Sequence, residues 1–261
     1  MIHQTAIIST KAKISENTKI GPYCIIDDGV SIEEGCELIS HVHLSGNTNI
    51  GKNNKFFPFS SVGTIPQDLK YSGEDSKLVI GENNTFRESV TINPGTKNGG
   101  MITKIEDNCL FMVGSHVAHD CQISSNVILA NNATLAGHVV IDNNAIIGGL
   151  SGVHQFVHIG KYAMIGGMSG VESNIIPYGL YLGIRDNLRG LNIIGLKRKN
   201  VDKKTISKVK EIFRKIFCEV NSLEKNIKNL NQEEKSILEV AEILDFISLN
   251  LKRGICRYVN D

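Results

Sequence analysis

Large apolar residues recur along this chain at a strict interval of six. The first run has ten such positions, Ile8, Ile14, Ile20, Ile26, Ile32, Leu38, Leu44, Ile50, Phe56 and Val62. The phase returns at Ile80, Phe86 and Ile92, then shifts by one residue and continues through Ile105, Phe111, Val117, Ile123, Leu129, Leu135, Ile141, Ile147, Val153, Ile159, Ile165 and Val171. A period of six fits neither a helix nor a plain alternating strand, whereas it suits a short strand and a corner repeated along a solenoid. The pattern predicts twenty-five hexads, each with one buried side chain.

Small side chains at a fixed position in the repeat support the predicted hexads. The four cysteines Cys24, Cys36, Cys109 and Cys121 each lie four places after a repeat position, where the interior would need a small side chain. No CxxC motif occurs, so the cysteines give no zinc or disulfide signal. Paired asparagines near the hexad ends suit corners that need left-handed backbone.

Two interruptions predict loops. Between Val62 and Ile80 the phase positions are Asp68 and Glu74, which cannot be core residues, and the segment between Ile92 and Ile105 is rich in glycine. We expect loops near 63–79 and 94–104, and loops on a rigid scaffold commonly carry function.

The pattern changes in the last third of the chain. The hexads stop at Val171, and from Asp202 a helical spacing follows at Ile206, Val209, Ile212, Phe213, Ile216, Phe217 and Val220, with a second helix expected from Ile237 to Leu251. The sequence predicts a mainly β solenoid over 1–184, then a basic connection and a helical domain over 185–261.

Composition narrows the class of protein. Of 261 residues, 41% are hydrophobic and 21% charged, and no apolar run approaches a membrane span. The N-terminal MIHQTAIIST lacks the basic and apolar regions of an export signal, so we expect a cytoplasmic protein without stable membrane insertion.

Charge is unevenly distributed. Residues 1–184 carry 11 basic and 16 acidic side chains, whereas 185–215 carry 11 and 3, a net +8. A run that includes Arg185, Arg189, Lys197, Arg198 and Lys199 is either a solvated face or a docking surface for an anion. No nucleic-acid motif accompanies it, so an acidic protein or a nucleotide diphosphate suits it better than nucleic acid.

The hexads resemble those of hexapeptide-repeat proteins, whose fold is a left-handed parallel β-helix with eighteen residues per coil. That spacing would place His119, Gly137 and Gln155 in one column, with His138 and His154 beside it, and Asn93 level with Ala118 and His154. A histidine cluster at such an edge suits general base catalysis or zinc binding, as in the gamma-class carbonic anhydrases.

Longer motifs resemble one family within this class. The strings HVAHDC, LANNATLAGHV, GGLSGVHQF, LNIIGLKRK, IPQDLKYSGE and RESVTI are similar to those of the acyl-carrier-protein-dependent UDP-N-acetylglucosamine O-acyltransferases, which begin lipid A synthesis. The resemblance implies that His119 is the general base, that Asp120 orients it and that the Gly137 N–H faces the oxyanion. It further implies a substrate-binding set of Gln67, Asp68, Lys70, Asn93, His116, His138, His154, Gln155, Gly167, Asn192 and Arg198.

The family resemblance also implies the partners. They are acyl carrier protein as the donor of a 3-hydroxyacyl chain, the 3-position of a UDP-sugar as the acceptor, and a homotrimer with sites between adjacent prisms. It implies no metal and no other cofactor.

Two positions depart from the family. Asn93 stands where many members have histidine, and Ile194 where many have glutamate. Both changes alter the hydrogen bonds offered to the sugar, so N-acylation of the 3-amino analogue is a second hypothesis. Three further hypotheses stay open, namely a later N-acyltransferase of the same pathway, a zinc enzyme and a catalytically silent scaffold.

Overall fold

The structure, a computed structural model, describes residues 1–183, 188–218 and 221–258. Its strands are numbered in chain order and form three sheets. The first sheet is β1 (Ile7–Ile8), β4 (Ile25–Ile26), β7 (His43–Leu44), β10 (Ser61–Val62), β13 (Thr91–Ile92), β16 (His116–Val117), β19 (Thr134–Leu135), β22 (Gly152–Val153) and β25 (Gly170–Val171). The second is β2 (Lys13–Ile14), β5 (Ser31–Ile32), β8 (Asn47–Ile50), β11 (Lys77–Ile80), β14 (Ile102–Ile105), β17 (Gln122–Ile123), β20 (Val140–Ile141) and β23 (His158–Ile159). The third is β3 (Lys19–Ile20), β6 (Glu37–Leu38), β9 (Lys55–Phe56), β12 (Thr85–Phe86), β15 (Leu110–Phe111), β18 (Ile128–Leu129), β21 (Ile146–Ile147), β24 (Met164–Ile165), β26 (Gly179–Tyr181) and β27 (Leu188–Leu191).

Consecutive strands enter the three sheets in turn, so three hexads complete one coil of a parallel β-helix. Each of the twenty-five expected apolar positions is the last residue of a strand between β1 and β25, which confirms the hexad pattern. Ile8 pairs with Ile26 and Ile147 with Ile165, an offset of eighteen residues in both cases. The eighteen-residue coil is therefore confirmed.

The core of the prism is built from columns of stacked apolar side chains. Phe56, Phe86 and Phe111 lie directly above one another, fully buried, with ring centroids 4.7 and 4.9 Å apart. The four cysteines of the hexads are buried and unpaired, as expected for small interior side chains. Burial raises the pKa of the Cys109 thiol to about 11, so it remains neutral inside the prism.

Both loops are shorter than the sequence suggests. The first loop covers residues 63–76, because β11 begins at Lys77, and the second covers 93–101, because β14 begins at Ile102. These strands have four residues, and Leu78 and Thr103 are fully buried before the next repeat position. The hexad period cannot reveal this added pairing, so each loop ends three residues before the expected end, at 76 and 101 rather than near 79 and 104.

The solenoid continues beyond Val171, the last hexad position that the sequence analysis identifies. Ile175 bridges to Ile159 and Tyr181 pairs with Ile165, in both cases sixteen residues apart. This coil is two residues shorter than the others, which hides it from a search at period six. The expected domain boundary at 184 lies outside the described residues, but β27 adds a strand within the segment assigned to the second domain.

Five helices follow the last strand, α1 (Ile193–Arg198), α2 (Lys203–Phe217), α3 (Leu223–Asn229), α4 (Gln232–Ser236) and α5 (Leu238–Asn250). The expected apolar face of α2 is buried from Ile206 to Ile216, whereas Val220 lies outside the described residues. Where the structure describes the chain, it contains no helix that is both long and apolar enough to cross a membrane.

An ionic network fixes α5 to the prism. Lys199 donates to Glu239 at 3.0 Å and to the Tyr178 hydroxyl at 2.7 Å, and Lys161 pairs with Glu242. Burial and the neighbouring Glu242 raise the pKa of Tyr178, which stays protonated and donates to that carboxylate.

We predict that Phe86→Ala lowers the free energy of unfolding by about 3–5 kcal/mol, because it opens a cavity in the middle of the phenylalanine stack. Urea denaturation measures this change. The control is Phe59→Ala, which truncates a ring that is 63% exposed. An equal loss in both variants would contradict the stacked core as the source of stability.

Candidate active site

His119 and His138 lie at one corner of the prism. This corner follows each strand of the first sheet and places His119, Gly137 and Gln155 on successive coils, as expected. The His138 N–H donates to the His119 carbonyl at 3.0 Å, and the Phe156 N–H donates to the Gly137 carbonyl at 3.1 Å. The register of β13 with β16 puts Asn93 level with Ala118, as the sequence analysis expects.

A buried His–Asp pair lies on this corner. His119 and Asp120 are 6% and 4% exposed, and His119 Nδ1 lies 2.8 Å from Asp120 Oδ2. A carboxylate can only accept, so Nδ1 carries the proton and Nε2 is left with its lone pair. The pair can therefore remove a proton from a ligand at Nε2.

The Asp120 backbone shapes this arrangement. Its φ of +60° is left-handed, a conformation that aspartate tolerates better than most residues. Its N–H donates to the Thr103 hydroxyl at 2.8 Å. The corner turn therefore aims the carboxylate back at the neighbouring imidazole.

Gly137 lies one coil above His119. A Cβ at residue 137 would be 2.6 Å from His119 Nε2, so only glycine leaves the imidazole in place. Among the described residues, the Gly137 N–H finds no hydrogen-bond acceptor. It is a free donor beside the base, as an oxyanion would require.

Two further histidines border the pair. His116 Nδ1 lies 2.7 Å from the Thr91 hydroxyl. Burial lowers the pKa of His116, and the charge of the nearby His119 lowers it further. Burial is also the largest cause that lowers the pKa of His138, whose ring meets His119 edge-on at 5.0 Å. Both imidazoles are neutral at pH 7 and can donate or accept hydrogen bonds.

The sequence analysis missed two neighbours of the cluster. The Phe156 ring stacks on His138 with centroids 4.3 Å apart. Arg253, far along the chain, places Nη2 3.3 Å from His154 Nδ1. The hexad columns could have suggested Phe156, which follows Gln155, but no sequence pattern places Arg253 at this edge.

The remaining expected residues divide into two groups. Gln67 and Lys70 are exposed on the first loop. Asp68 lies close enough to His138 for its charge to oppose the lowering of the His138 pKa by burial. Gln155, Gly167 and Arg198 are also exposed to solvent. These residues are available to a ligand. Gly167 follows β24 of the third sheet and Arg198 ends α1, so neither lies at the corner that carries the His119–Asp120 pair.

Two expected binding residues also make structural contacts. The Asn93 amide is 3% exposed and donates to the carbonyls of Thr64 and Ile65 at the base of the first loop. Asn192 caps α1 by accepting from the Gly195 N–H and donates to the Tyr162 carbonyl. Each side chain is held by backbone groups, a use that sequence alone does not distinguish from ligand binding.

The basic segment is less open than its composition suggests. Lys199 is taken up by Glu239 and Glu242, so it does not belong to an anion-docking surface. Arg185 lies outside the described residues. Lys197 and Arg198 are exposed at the end of α1.

The His119, Asp120 and His138 ligand atoms lie within 4.8 Å of one another, close enough to consider a metal ion. However, Asp120 Oδ2 already accepts from the Thr96 hydroxyl at 2.6 Å and from His119, and Oδ1 accepts from the Thr96 N–H at 2.9 Å. A cation would have to displace these donors. The donor set therefore fits a proton-transfer pair better than a metal centre.

Comparisons with known proteins match the whole chain. The chain is 48% identical over 256 residues to an acyl-[acyl-carrier-protein]–UDP-N-acetylglucosamine O-acyltransferase of Thermodesulfovibrio yellowstonii, covering 98% of this chain and 99% of that protein. The chain belongs to that acyltransferase family. A family model for bacterial transferase hexapeptides matches residues 102–137, and one for UDP N-acetylglucosamine O-acyltransferase domain 2 matches 174–256.

Solved structures of this acyltransferase family share the fold. A UDP-N-acetylglucosamine acyltransferase structure is 44% identical with a TM-score of 0.93 and covers 100% of both chains. The structure from Campylobacter jejuni is 37% identical, with a TM-score of 0.92 and coverage of 99% of this chain and 100% of that one. The fold class is therefore the expected left-handed parallel β-helix with a C-terminal helical subdomain.

We predict that Gly137→Ala lowers kcat of this acyltransferase at least about tenfold, because the added methyl displaces the His119 ring from its partner. Steady-state kinetics measures the loss. The control is thermal denaturation of Gly137→Ala, which shows whether the prism keeps its fold. Full activity of Gly137→Ala would contradict the placement of the reacting atoms beside His119.

Proposed function

We propose that this protein transfers a 3-hydroxyacyl chain from acyl carrier protein to the 3-hydroxyl of UDP-N-acetylglucosamine, the first step of lipid A biosynthesis. The observation that carries this proposal is the buried His119–Asp120 pair beneath the Gly137 N–H, in a chain 48% identical to an enzyme named for that reaction. An acyl transfer needs a base and an oxyanion donor side by side, and this corner offers both.

The reaction then proceeds in one addition and one elimination. His119 Nε2 takes the proton of the sugar hydroxyl as its oxygen bonds to the thioester carbonyl carbon. The carbonyl oxygen becomes an oxyanion that the Gly137 N–H stabilises, while Asp120 stabilises the charged imidazole. Collapse of the intermediate breaks the carbon–sulfur bond, and His119 returns the proton to the departing thiolate.

The hydroxyl acceptor is favoured over the 3-amino analogue. The relatives in the comparison are named O-acyltransferases. The Asn93 amide nitrogen is engaged by the first loop, whereas its Oδ1 has no hydrogen-bond partner among the described residues, and Ile194 is 65% exposed on α1. These positions therefore do not decide between the two acceptors, and the names of the relatives carry the choice.

The reaction needs no metal in this proposal, because base, orienting carboxylate and oxyanion donor are all protein groups. The carrier protein would approach the exposed basic side chains of α1 and α2, among them Lys197, Arg198, Lys203 and Lys204. Acidic partners are steered by such clusters. We place the enzyme in the cytoplasm, where the four unpaired cysteines of the hexads are compatible with a reducing environment.

We predict that His119→Ala lowers acyl transfer at least about a hundredfold, the usual contribution of a general base. The assay follows transfer from 3-hydroxyacyl carrier protein to UDP-N-acetylglucosamine, and in parallel to its 3-amino analogue, with and without a chelator. Preference for the amine would overturn the acceptor, and activity that a chelator removes would overturn the metal-free mechanism.

The matched control is His43→Ala. His43 also pairs with a carboxylate, Asp27, at 2.8 Å, but on a lower coil and with 40% of its side chain exposed. It should retain activity. Equal losses in the two variants would contradict the specific role of His119.

We further propose a homotrimer whose sites lie between adjacent prisms. Leu150, Phe156 and Met168 are 63%, 53% and 73% exposed on the two corners that border the first sheet, and Gly152 and Gly170 leave that sheet flat between them. Exposed apolar side chains around a flat face suit a partner subunit.

We predict a mass of about 86 kDa by light scattering, three times the chain mass of 28.6 kDa. Leu150→Asp with Met168→Asp should lower it, because two charges would be buried at the interface. A monomeric mass for the unchanged protein would contradict the trimer.

A further inference from the structure

The second loop forms a lid over the buried carboxylate of the His–Asp pair. Asp120 has no exposed side-chain surface, and the loop backbone at Gly99 lies so close that any Cβ there would overlap the carboxylate. The loop therefore excludes water from Asp120. Of the described residues that donate hydrogen bonds to the carboxylate, Thr96 and His119, only Thr96 comes from an irregular segment rather than the hexads.

Thr96 provides the contacts between this loop and the pair. Its N–H donates to Asp120 Oδ1 at 2.9 Å, and its hydroxyl donates to Oδ2 at 2.6 Å. Oδ2 is also the atom that accepts from His119 at 2.8 Å. The hydroxyl and the imidazole thus share one oxygen, so the position of the hydroxyl sets the direction in which the carboxylate faces the ring.

The loop is held independently of that hydroxyl. Glu74 of the first loop accepts from the Lys97 N–H at 3.1 Å and from the Ser72 N–H at 2.9 Å. These backbone donors lower the pKa of Glu74 to about 2. Because the folded pKa is depressed, this contribution is fully present above the ordinary carboxyl pKa and is lost only as pH falls towards 2.

Two bonds within the loop add to this support. The Gly99 and Met101 N–H groups both donate to the Thr96 carbonyl at 3.0 Å. None of these anchors involves the Thr96 side chain. Removal of the hydroxyl alone should therefore leave the loop in place and release only the carboxylate.

We propose that Thr96 is a positioning residue, whose hydroxyl fixes Asp120 so that His119 keeps its proton on Nδ1 and presents Nε2 as the base. The role rests on the proposed acyl transfer, since Thr96 acts only through Asp120. It also explains Gly99, which lets the loop backbone approach the carboxylate. The hexads supply the base, and an inserted loop supplies its orientation.

The decisive variant is Thr96→Val, which keeps the shape of the side chain and the backbone donor but removes the hydroxyl. We expect kcat to fall about tenfold, the rate equivalent of one lost hydrogen bond to a charged group, with KM for the nucleotide sugar nearly unchanged. Thr96→Ser keeps a hydroxyl and should recover most of the activity.

The control is Thr205→Val. Thr205 makes a bond of the same kind, from its hydroxyl to Asp202 Oδ2 at 2.6 Å, at the start of α2 and far from the pair. It should leave kcat unchanged. Thermal denaturation of all three variants checks that they fold equally well.

A second measurement does not depend on turnover. In ¹⁵N spectra of the imidazole groups, the His119 signals are assigned by their loss in His119→Gln. We expect a protonated Nδ1 in the parent and in Thr96→Ser, and exchange between the two tautomers in Thr96→Val.

The outcomes separate the positioning role of Thr96 from the proposed acyl transfer. Unchanged kcat and tautomer in Thr96→Val would overturn the positioning role, and so would equal losses in the serine and valine variants. If the parent fails to transfer the acyl chain, the proposed function fails. The tautomer spectra then still decide whether Thr96 orients the pair.

Discussion

The interior of the prism admits one large side chain per hexad, and this limit governs the rest of the structure. Strands of two residues leave little room between corners, so every coil must keep the same cross-section to stack on the next. Extra residues can enter only at a corner. Both loops enter at the corner that follows the first sheet, after Val62 and after Ile92, and this is the corner that carries His119 on the next coil. The corner at which the loops are inserted is therefore also the corner that carries the active site.

Periodicity explains what can be predicted from the sequence. Because coils repeat every eighteen residues, the position of His119 fixes the positions of Gly137 and Gln155, and the same arithmetic aligns Asn93 with Ala118. The buried face of α2 is equally predictable, since its spacing is helical. Side chains form columns in a solenoid because each coil contains the same number of residues.

Contacts that depend on irregular backbone cannot be predicted in this way. Thr96 reaches Asp120 from a loop with no period, and the sixteen-residue coil at Tyr181 has lost the period altogether. Asn93 and Asn192 show a different limit, because the sequence suggests a ligand contact but does not reveal the backbone groups that also hold each side chain. Residue type predicts the capacity for a hydrogen bond, and only the fold decides its partner.

The two ends of the prism meet solvent differently. At the late end, the segment after α5 adds bridges at Asn174 and Leu188, so the final coil finds partners for its backbone within the same chain. At the early end, β2 and β3 each begin with an exposed lysine, Lys13 and Lys19. Unpaired strand edges invite growth by addition of further strands, and short strands flanked by lysine resist it. Protection against end-to-end polymerisation is therefore steric at one pole of the rod and electrostatic at the other.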